Sequence, residues 1–165
     1  MSQNDAVLTP GHTPGMRYAQ VEASWHADIV QQARDAFLAE MARCGVPADA
    51  IDVIDVPGAF EVPLHVKRLA HSGRYAAVVA SALVVDDGTY RHDFMAASVI
   101  DALMRVQLDA DVPVILAVLA PHHFHEHAEH RKYFMRHFAV KGTEAAQACL
   151  HTVEALRRLS VPHAR

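Results

Sequence analysis

A strand-like segment is followed by a helix-like segment four times along this chain, and no other feature constrains the fold as strongly. The strand-like segments are short and mostly apolar, whereas the helix-like segments repeat apolar residues every three or four positions. Predicted strands lie at 16–24, 51–56, 75–85 and 112–120, and predicted helices at 28–45, 57–73, 93–108 and beyond 121, most clearly at 143–159. This alternation predicts an α/β fold: a four-stranded parallel sheet with helices on both faces.

The composition is typical of a single globular domain. The chain has 165 residues, of which 52% are hydrophobic and 21% charged. Residues 1–15 mix polar residues with Pro and Gly and are predicted to form a flexible arm before a domain at 16–165. A net charge of −4 provides no basic field for nucleic acid. Because no apolar run could span a bilayer and no signal-peptide core is present, we expect a cytoplasmic protein without a membrane partner.

Several residues are predicted to mark the ends of helices. Asp28 is a possible N-cap of the first helix, and Gly45 is its predicted stop. Thr143 is predicted to cap the last helix. Pro63 is compatible with the second helix only in the first turn, where its missing N–H costs nothing.

Three loops follow predicted strands and should therefore lie at one edge of the sheet. They are residues 23–28, 56–63 and 86–94. In parallel sheets of this kind, ligands bind outside the carboxyl ends of the strands. The sequence thus predicts a ligand site where these three loops meet.

The third loop carries the most chemistry. Gly88 permits a close approach of the backbone, Thr89 supplies a hydroxyl, and the helix N-terminus that follows favours an anion such as phosphate. His92 can exchange protons near neutral pH, and Asp93 could orient it. The alternative is a solvated polar loop with a helix cap, and the local sequence does not decide between the two.

The first two loops also have a functional and a structural interpretation. Trp25 could stack on a flat heterocycle, or it could simply pack the helix against the sheet. The turn at Pro57 and Gly58 could present backbone groups to a ligand, although such dipeptides are most often only turns. Glu61 could contact a ligand or interact only with the helix dipole.

Histidines are concentrated in one segment, with six of the thirteen between His122 and His137. On a helix, His123, His127 and His130 would share a face, so a structural zinc site is one interpretation. No HExxH order is present, and a solvated or interface helix is favoured, so no metal is expected. Arg131 in this segment could instead meet a phosphate.

Four motifs together resemble the lumazine synthase family. They are VPGAFEVP after the second strand, YAAVVASALVV with the Gly-Thr and His-Asp loop that follows, VPVILAVL as the fourth strand, and KGTEAA at the last helix. The resemblance implies a flavodoxin-like three-layer domain. It also implies an enzyme that condenses 5-amino-6-ribitylaminouracil with 3,4-dihydroxy-2-butanone 4-phosphate, without a cofactor. The product is 6,7-dimethyl-8-ribityllumazine, the precursor of riboflavin.

The resemblance implies a role for each matching residue. His92 is the implied proton-transfer residue, although an ungapped alignment places Arg91 at that position. The implied site for the ribitylaminouracil consists of Trp25, which stacks on the ring, Ala59, Phe60, Glu61, Leu83, Val84, Val85 and Leu116. The implied site for the butanone phosphate consists of Gly88, Thr89 and Arg131. Leu116 and Arg131 match positions that a neighbouring subunit supplies.

The chain departs from the usual family pattern at two places. Asp86-Asp87 replaces an Arg-Gly pair, and the segment after the fourth strand is rich in histidine. These features are similar to the second-type lumazine synthases of some proteobacteria, which are decamers of two stacked pentamers, so we expect a homo-oligomer of that kind. The altered loop leaves open a lumazine- or flavin-binding protein with weak or no turnover. A metal-dependent hydrolase would leave the VPGAFE turn unexplained.

Overall fold

Four strands and four α-helices alternate along the residues that the structure, a computed structural model, describes, namely 12–86, 88 and 91–160. Most of the predicted arm lies outside these residues, and so does Thr89. The elements in chain order are β1 (Tyr18–Ala23), α1 (Ala27–Arg43), β2 (Ile51–Val56), α2 (Val62–Ala70), β3 (Ala77–Leu83), α3 (His92–Ala110), β4 (Val114–Leu119) and α4 (Ala128–Leu159). The predicted alternation is confirmed.

The strands form one parallel sheet in the order β2-β1-β3-β4. Every residue of β1 and β3 is buried, because these two strands have neighbours on both sides and helices on both faces. β4 is equally apolar in sequence, yet most of its residues are only half-buried because it is an edge strand. The sheet therefore has its best-protected strands at the centre, next to the loops that carry the predicted site.

Alternate residues of β1 contact different helical layers, as the period of two along a strand requires. Ala19, Val21 and Ala23 belong to a core that includes residues of α2 and α3. Tyr18 belongs to a second core that includes residues of α1 and α4. The helices thus cover both faces of the sheet in pairs, and the predicted three-layer α/β fold is confirmed.

Two of the predicted helix ends are confirmed. Gly45 follows the end of α1 with a left-handed φ of +85°, a conformation that glycine adopts without the strain of a side chain. Pro63 lies in the first turn of α2, where its missing N–H leaves no hydrogen bond unmade.

The two predicted N-caps are wrong. The N-cap position of α1 is His26, and Asp28 lies inside the first turn, where its carboxylate accepts a hydrogen bond from Arg131 of α4. Thr143 lies in the middle of α4, which is continuous from Ala128, and its hydroxyl donates to the carbonyl of Ala139 at 3.4 Å. Asp28 is engaged by a residue that is distant in sequence, which the local sequence could not indicate, whereas Thr143 lies inside a continuous helix.

The last helix extends past the sheet. Ala145 and Cys149 are buried as their spacing predicts, but Leu156 and Leu159, on the same predicted face, are 40% and 80% exposed. None of the helices among the described residues combines the length and the apolarity that crossing a membrane requires.

Candidate active site

A cleft of about 330 Å³ opens at the carboxyl edge of the sheet, where the loops after β1, β2 and β3 meet. It is lined by Trp25, His26, Pro57, Gly58, Ala59, Phe60, Glu61, Leu83, Val84, Val85 and Met95. The structure thus brings together most of the residues that the sequence motifs imply for binding a heterocyclic ring and the ribityl chain attached to it. The cleft lies where parallel sheets place their ligands.

Trp25 forms one wall of the cleft. It lies in the turn between β1 and α1, and this turn is held to the neighbouring strand because the Ser24 N–H donates to the Val56 carbonyl at 2.8 Å. Its side chain is 61% exposed, an unusual position for the largest apolar side chain in the chain. An indole that faces an open cleft can stack on a planar ligand.

The turn between β2 and α2 forms a second wall. The Glu61 N–H donates to the Gly58 carbonyl at 3.3 Å, which closes a short 3-10 turn over Ala59–Glu61 before α2 begins. Ala59 is buried in this turn, whereas Phe60 is exposed. The apolar ring of Phe60 and the carboxylate of Glu61 therefore border the same opening, which suits a ligand with both a ring and hydroxyl groups.

The end of β3 forms the floor of the cleft. Leu83 and Val84 are buried, and the Val84 N–H donates to the Leu119 carbonyl of β4 at 2.8 Å. Val85 follows the strand and is half-buried. A floor held by ladder hydrogen bonds is rigid, so its backbone can recognise a ligand without an ordering cost.

The loop after β3 is described in part, because Asp87, Thr89 and Tyr90 lie outside the described residues. Asp86 Oδ1 accepts a hydrogen bond from the Gly88 N–H at 3.0 Å, and Gly88 has a left-handed φ of +78°. The other oxygen, Oδ2, is 3.8 Å from Nδ1 of His92. Asp86 therefore binds the glycine by a hydrogen bond and faces the imidazole of this loop.

His92 and Arg91 differ clearly in their surroundings. His92 begins α3, and its side chain is only 18% exposed. Arg91 is exposed, donates to Asp93 at 2.9 Å and lies over the ring of Phe94. The hydrogen bond from Arg91 holds the pKa of Asp93 below its usual value. The expectation that Asp93 orients His92 is thus wrong, because Asp93 pairs with Arg91 and Asp86 faces the imidazole.

Leu116 and Arg131 are not among the residues that line the cleft. Leu116 is in the middle of β4, half-buried against the core on the α2 and α3 side. Arg131 donates to Asp28 and to Glu126, both at 2.5 Å. The hydrogen bond from Arg131 is the main cause that lowers the pKa of Asp28.

The histidine-rich segment does not have the predicted geometry. Because α4 begins at Ala128, His123 and His127 precede the helix, so the predicted shared face with His130 is wrong. The rings instead form aromatic contacts, such as the stacked pairs His125–His130 and Tyr133–His137. Among the described residues, no group of three or more histidine, cysteine, aspartate or glutamate side chains is arranged to hold a metal ion.

His26 and Met95 are cleft residues that the sequence did not single out. His26 directly follows Trp25, so its position in the loop was visible, but its left-handed backbone was not. Met95 is three residues after His92, and helical spacing places both on the same side of α3. That spacing was a usable signal for Met95.

The open parallel sheet and the aromatic-walled cleft at its carboxyl edge are typical of α/β proteins that bind small ligands. Within that class, a family model described as 6,7-dimethyl-8-ribityllumazine synthase matches residues 15–157. The chain belongs to this family, and the resemblance seen in the sequence motifs is confirmed.

Curated relatives agree with this assignment. The chain is 59% identical over 145 residues to a 6,7-dimethyl-8-ribityllumazine synthase of Rhodococcus erythropolis, covering 88% of this chain and 94% of that protein. It is 55% identical over 149 residues to 6,7-dimethyl-8-ribityllumazine synthase 2 of Pseudomonas syringae pv. tomato, covering 88% of each. A synthase 2 of Bradyrhizobium diazoefficiens is 49% identical over 154 residues, or 93% of this chain and 92% of that protein.

Proposed function

We propose that this chain is a lumazine synthase. It condenses 5-amino-6-ribitylaminouracil with 3,4-dihydroxy-2-butanone 4-phosphate to 6,7-dimethyl-8-ribityllumazine and releases phosphate. The observation that carries the proposal is the convergence of three loops, separated in sequence, on one cleft. Trp25 provides a surface for the pyrimidine ring, Ala59–Glu61 a turn for the ribityl chain, and Leu83–Val85 a backbone edge for the ring.

The butanone phosphate is proposed to bind beside the third loop. Gly88 and Thr89 hold its phosphate near the start of α3, where the helix dipole favours an anion. His92 transfers the protons, since its imidazole can both give and accept them near neutral pH. Arg91 is the weaker candidate because a guanidinium stays protonated and is already paired with Asp93. Holding two substrates together supplies much of the rate.

The active enzyme is proposed to be a homo-oligomer, built from pentamers and completed as a decamer, with sites shared between neighbouring subunits. The positions of Leu116 and Arg131 support this, since both match ligand-binding positions of the family and neither lines the cleft of its own chain. Arg131 would supply positive charge to a neighbour's phosphate site, where Asp86-Asp87 stands in place of the family's Arg-Gly pair. The pair with Asp28 and Glu126 would then position its guanidinium.

Mixing two inactive variants tests the shared site. Trp25→Ala removes the stacking surface and Arg131→Ala removes the phosphate contact, so each homogeneous oligomer should be nearly inactive. In mixed rings, some interfaces pair an intact Trp25 with an intact Arg131, and activity should partly return. If no activity returns after subunit exchange has been verified, the site is not shared in this way.

The competing function is a lumazine- or flavin-binding protein with weak or no turnover. The Asp86-Asp87 loop favours it, because two acidic residues add negative charge beside the proposed phosphate site. Mixing both substrates with the purified protein, with and without a chelator, decides between the two. We expect chelator-insensitive formation of the lumazine chromophore. Ligand binding without turnover would favour the competing function. Chelator-sensitive hydrolysis of other substrates would favour a metal-dependent hydrolase.

A further inference from the structure

Two pairs of an imidazole and a carboxylate lie at the carboxyl edge of the sheet. In one pair, His92 Nδ1 is 3.8 Å from Asp86 Oδ2, and in the other, His26 Nδ1 is 3.8 Å from Glu126 Oε1. Both distances are in the range of ion pairs and longer than hydrogen bonds. His26 lines the cleft beside Trp25, whereas His92 is not among the lining residues. The cleft therefore has an imidazole of its own, with a carboxylate behind it.

His26 is held firmly in place. Its backbone is left-handed, with φ 55° and ψ 43°, a conformation that is strained for a residue other than glycine. Its carbonyl accepts hydrogen bonds from the N–H groups of Ile29 and Val30 at 2.9 and 3.0 Å, so it begins α1. Its ring packs edge-on against Phe124, with centroids 5.4 Å apart. Strain of this kind at a cleft points to function.

The orientation of the ring leaves one nitrogen for a ligand. Since Nδ1 faces Glu126 at 3.8 Å, Nε2 is the nitrogen that we assign to a molecule in the cleft. The side chain is 20% exposed, so the imidazole is reachable without being freely mobile. A carboxylate that faces one nitrogen of a histidine fixes the ring orientation and favours proton transfer at the other nitrogen.

We propose that His26 is a further catalytic residue, whose imidazole contacts the substrates in the cleft and carries protons alongside His92. Glu126 and Phe124 act as positioning residues for its ring. This inference rests on the proposed lumazine synthase function. Phe124 and Glu126, which follow β4, would thus contribute to the site of their own chain. Arg131 would contact the phosphate in a neighbouring subunit.

The chemistry of the condensation gives each imidazole a separate task. The substrate amine adds to the ketone carbonyl, and water leaves as the imine forms. His26, next to the ring platform, relays the amine protons through Nε2 to the carbonyl oxygen, one as the amine adds and one as the hydroxyl departs as water, so no net proton is consumed. At the phosphate loop, His92 accepts the C–H proton and passes it to the phosphate, which leaves with the electron pair of the C–O bond. The enol that results becomes a ketone as its hydroxyl proton moves to the terminal carbon. The ribitylamine nitrogen adds to this ketone, and ring closure expels a second water.

Two substitutions at His26 test its role while preserving the backbone. Glycine and asparagine both tolerate the left-handed conformation, so His26→Gly and His26→Asn should fold with unchanged far-UV circular dichroism. We expect each to lower kcat by roughly 10²-fold, the low end for a positioned acid–base group, with little change in KM. Added imidazole should restore part of the activity of His26→Gly, which has a vacant space, but not of His26→Asn.

Glu126 has a matched control in Asp28. Each carboxylate pairs with Arg131 at 2.5 Å, but only Glu126 faces His26. We expect Glu126→Gln to lower kcat by roughly 10-fold, as loss of an orienting partner typically does. Asp28→Asn should alter mainly KM for the butanone phosphate. Equal losses of kcat in the two variants would assign the effect to Arg131 and would overturn the positioning role of Glu126.

The outcomes separate this inference from the proposed function. Absence of lumazine formation by the wild-type chain contradicts both. If the wild type turns over and the kcat of the His26 variants stays within about twofold of the wild-type value, only the role of His26 is overturned. A fall in kcat that imidazole leaves unchanged in His26→Gly also overturns proton transfer by this residue.

Discussion

Gly142 of α4 lies against the backbone of Ala33 in α1. A Cβ placed on Gly142 would be 2.9 Å from the Cα of Ala33 and 2.8 Å from its carbonyl carbon, closer than carbon atoms pack. Both residues are buried. The glycine therefore sets how closely the two helices approach, and α1 carries Trp25 and His26 at its N-terminal end.

Gly142→Ala should destabilise the protein although alanine is the better helix former. Helix propensity favours alanine by about 1 kcal/mol, but overpacking at a close helix crossing costs roughly 1–3 kcal/mol or more. Urea unfolding should give a lower midpoint at a similar slope. The control is Ala148→Gly, at an exposed position of the same helix, which should cost about 1 kcal/mol through propensity alone. If Gly142→Ala is instead more stable than the wild type, α1 and α4 can move apart without cost, and the glycine does not set their separation.

Glu22 of β1 is a buried carboxyl group, only 1% exposed, whose Oε1 accepts a hydrogen bond from Arg34 at 2.9 Å. Burial raises the pKa of Glu22 to about 7, with a further contribution from Asp55, while Arg34 acts in the opposite direction. The unfolded chain releases the same proton near pH 4.5. Folding therefore takes up a proton between these two values, and the free energy of unfolding falls as pH rises through that window.

Glu22→Gln should remove this pH dependence. We expect its free energy of unfolding to exceed that of the wild type at pH 8 by on the order of 1–3 kcal/mol, because no buried charge forms. The difference should shrink towards pH 4.5, where the wild-type carboxyl is protonated in the folded chain. Denaturant unfolding across this range is the measurement. Asp35→Asn, which removes the exposed partner of Arg34, is the control and should retain the wild-type slope.

The sheet and the location of the site could be predicted from the sequence because both depend on local patterns. Buried parallel strands are continuous apolar runs, and YAAVVASALVV is unmistakable as one. Once four strands alternate with helices, the loops at Trp25, Ala59 and Asp86 must share one edge of the sheet. The cleft was therefore predictable without any knowledge of strand order.

The remaining features depend on contacts between residues far apart in sequence. The pair Gly142-Thr143 has the local pattern of a helix boundary, but α4 is continuous there, and Gly142 packs closely against Ala33 of α1. Asp28 has the pattern of a cap, but it pairs with Arg131 across 103 positions of sequence. The left-handed backbone of His26 likewise has no local signal, since glycine and asparagine are the residues that usually mark it.

We expect different changes in kcat and KM from three substitutions in the loop after β3, namely His92→Ala, Arg91→Ala and Thr89→Ala. His92→Ala should lower kcat by roughly 10²-fold, at the lower end for an acid–base group, with a modest change in KM. Thr89→Ala should mainly raise KM for the butanone phosphate, because it would remove the ground-state contact proposed for this residue. Steady-state kinetics with each substrate varied in turn is the measurement.

Arg91→Ala is the control for the ambiguous alignment. A smaller loss of kcat than for His92→Ala is expected, since Arg91 is exposed and its charge is paired with Asp93. If Arg91→Ala abolishes turnover while His92→Ala leaves kcat and its pH profile unchanged, Arg91 is the residue that acts.

Trp25 is the single tryptophan of the chain, so its fluorescence reports directly on the cleft. We propose that the heterocyclic substrate stacks on this indole. Titration of the purified enzyme with 5-amino-6-ribitylaminouracil should therefore quench the emission saturably, at concentrations that match its KM, while inorganic phosphate should leave the emission nearly unchanged. Turnover at saturating substrate with unaltered Trp25 emission would contradict the claim and place the substrate elsewhere.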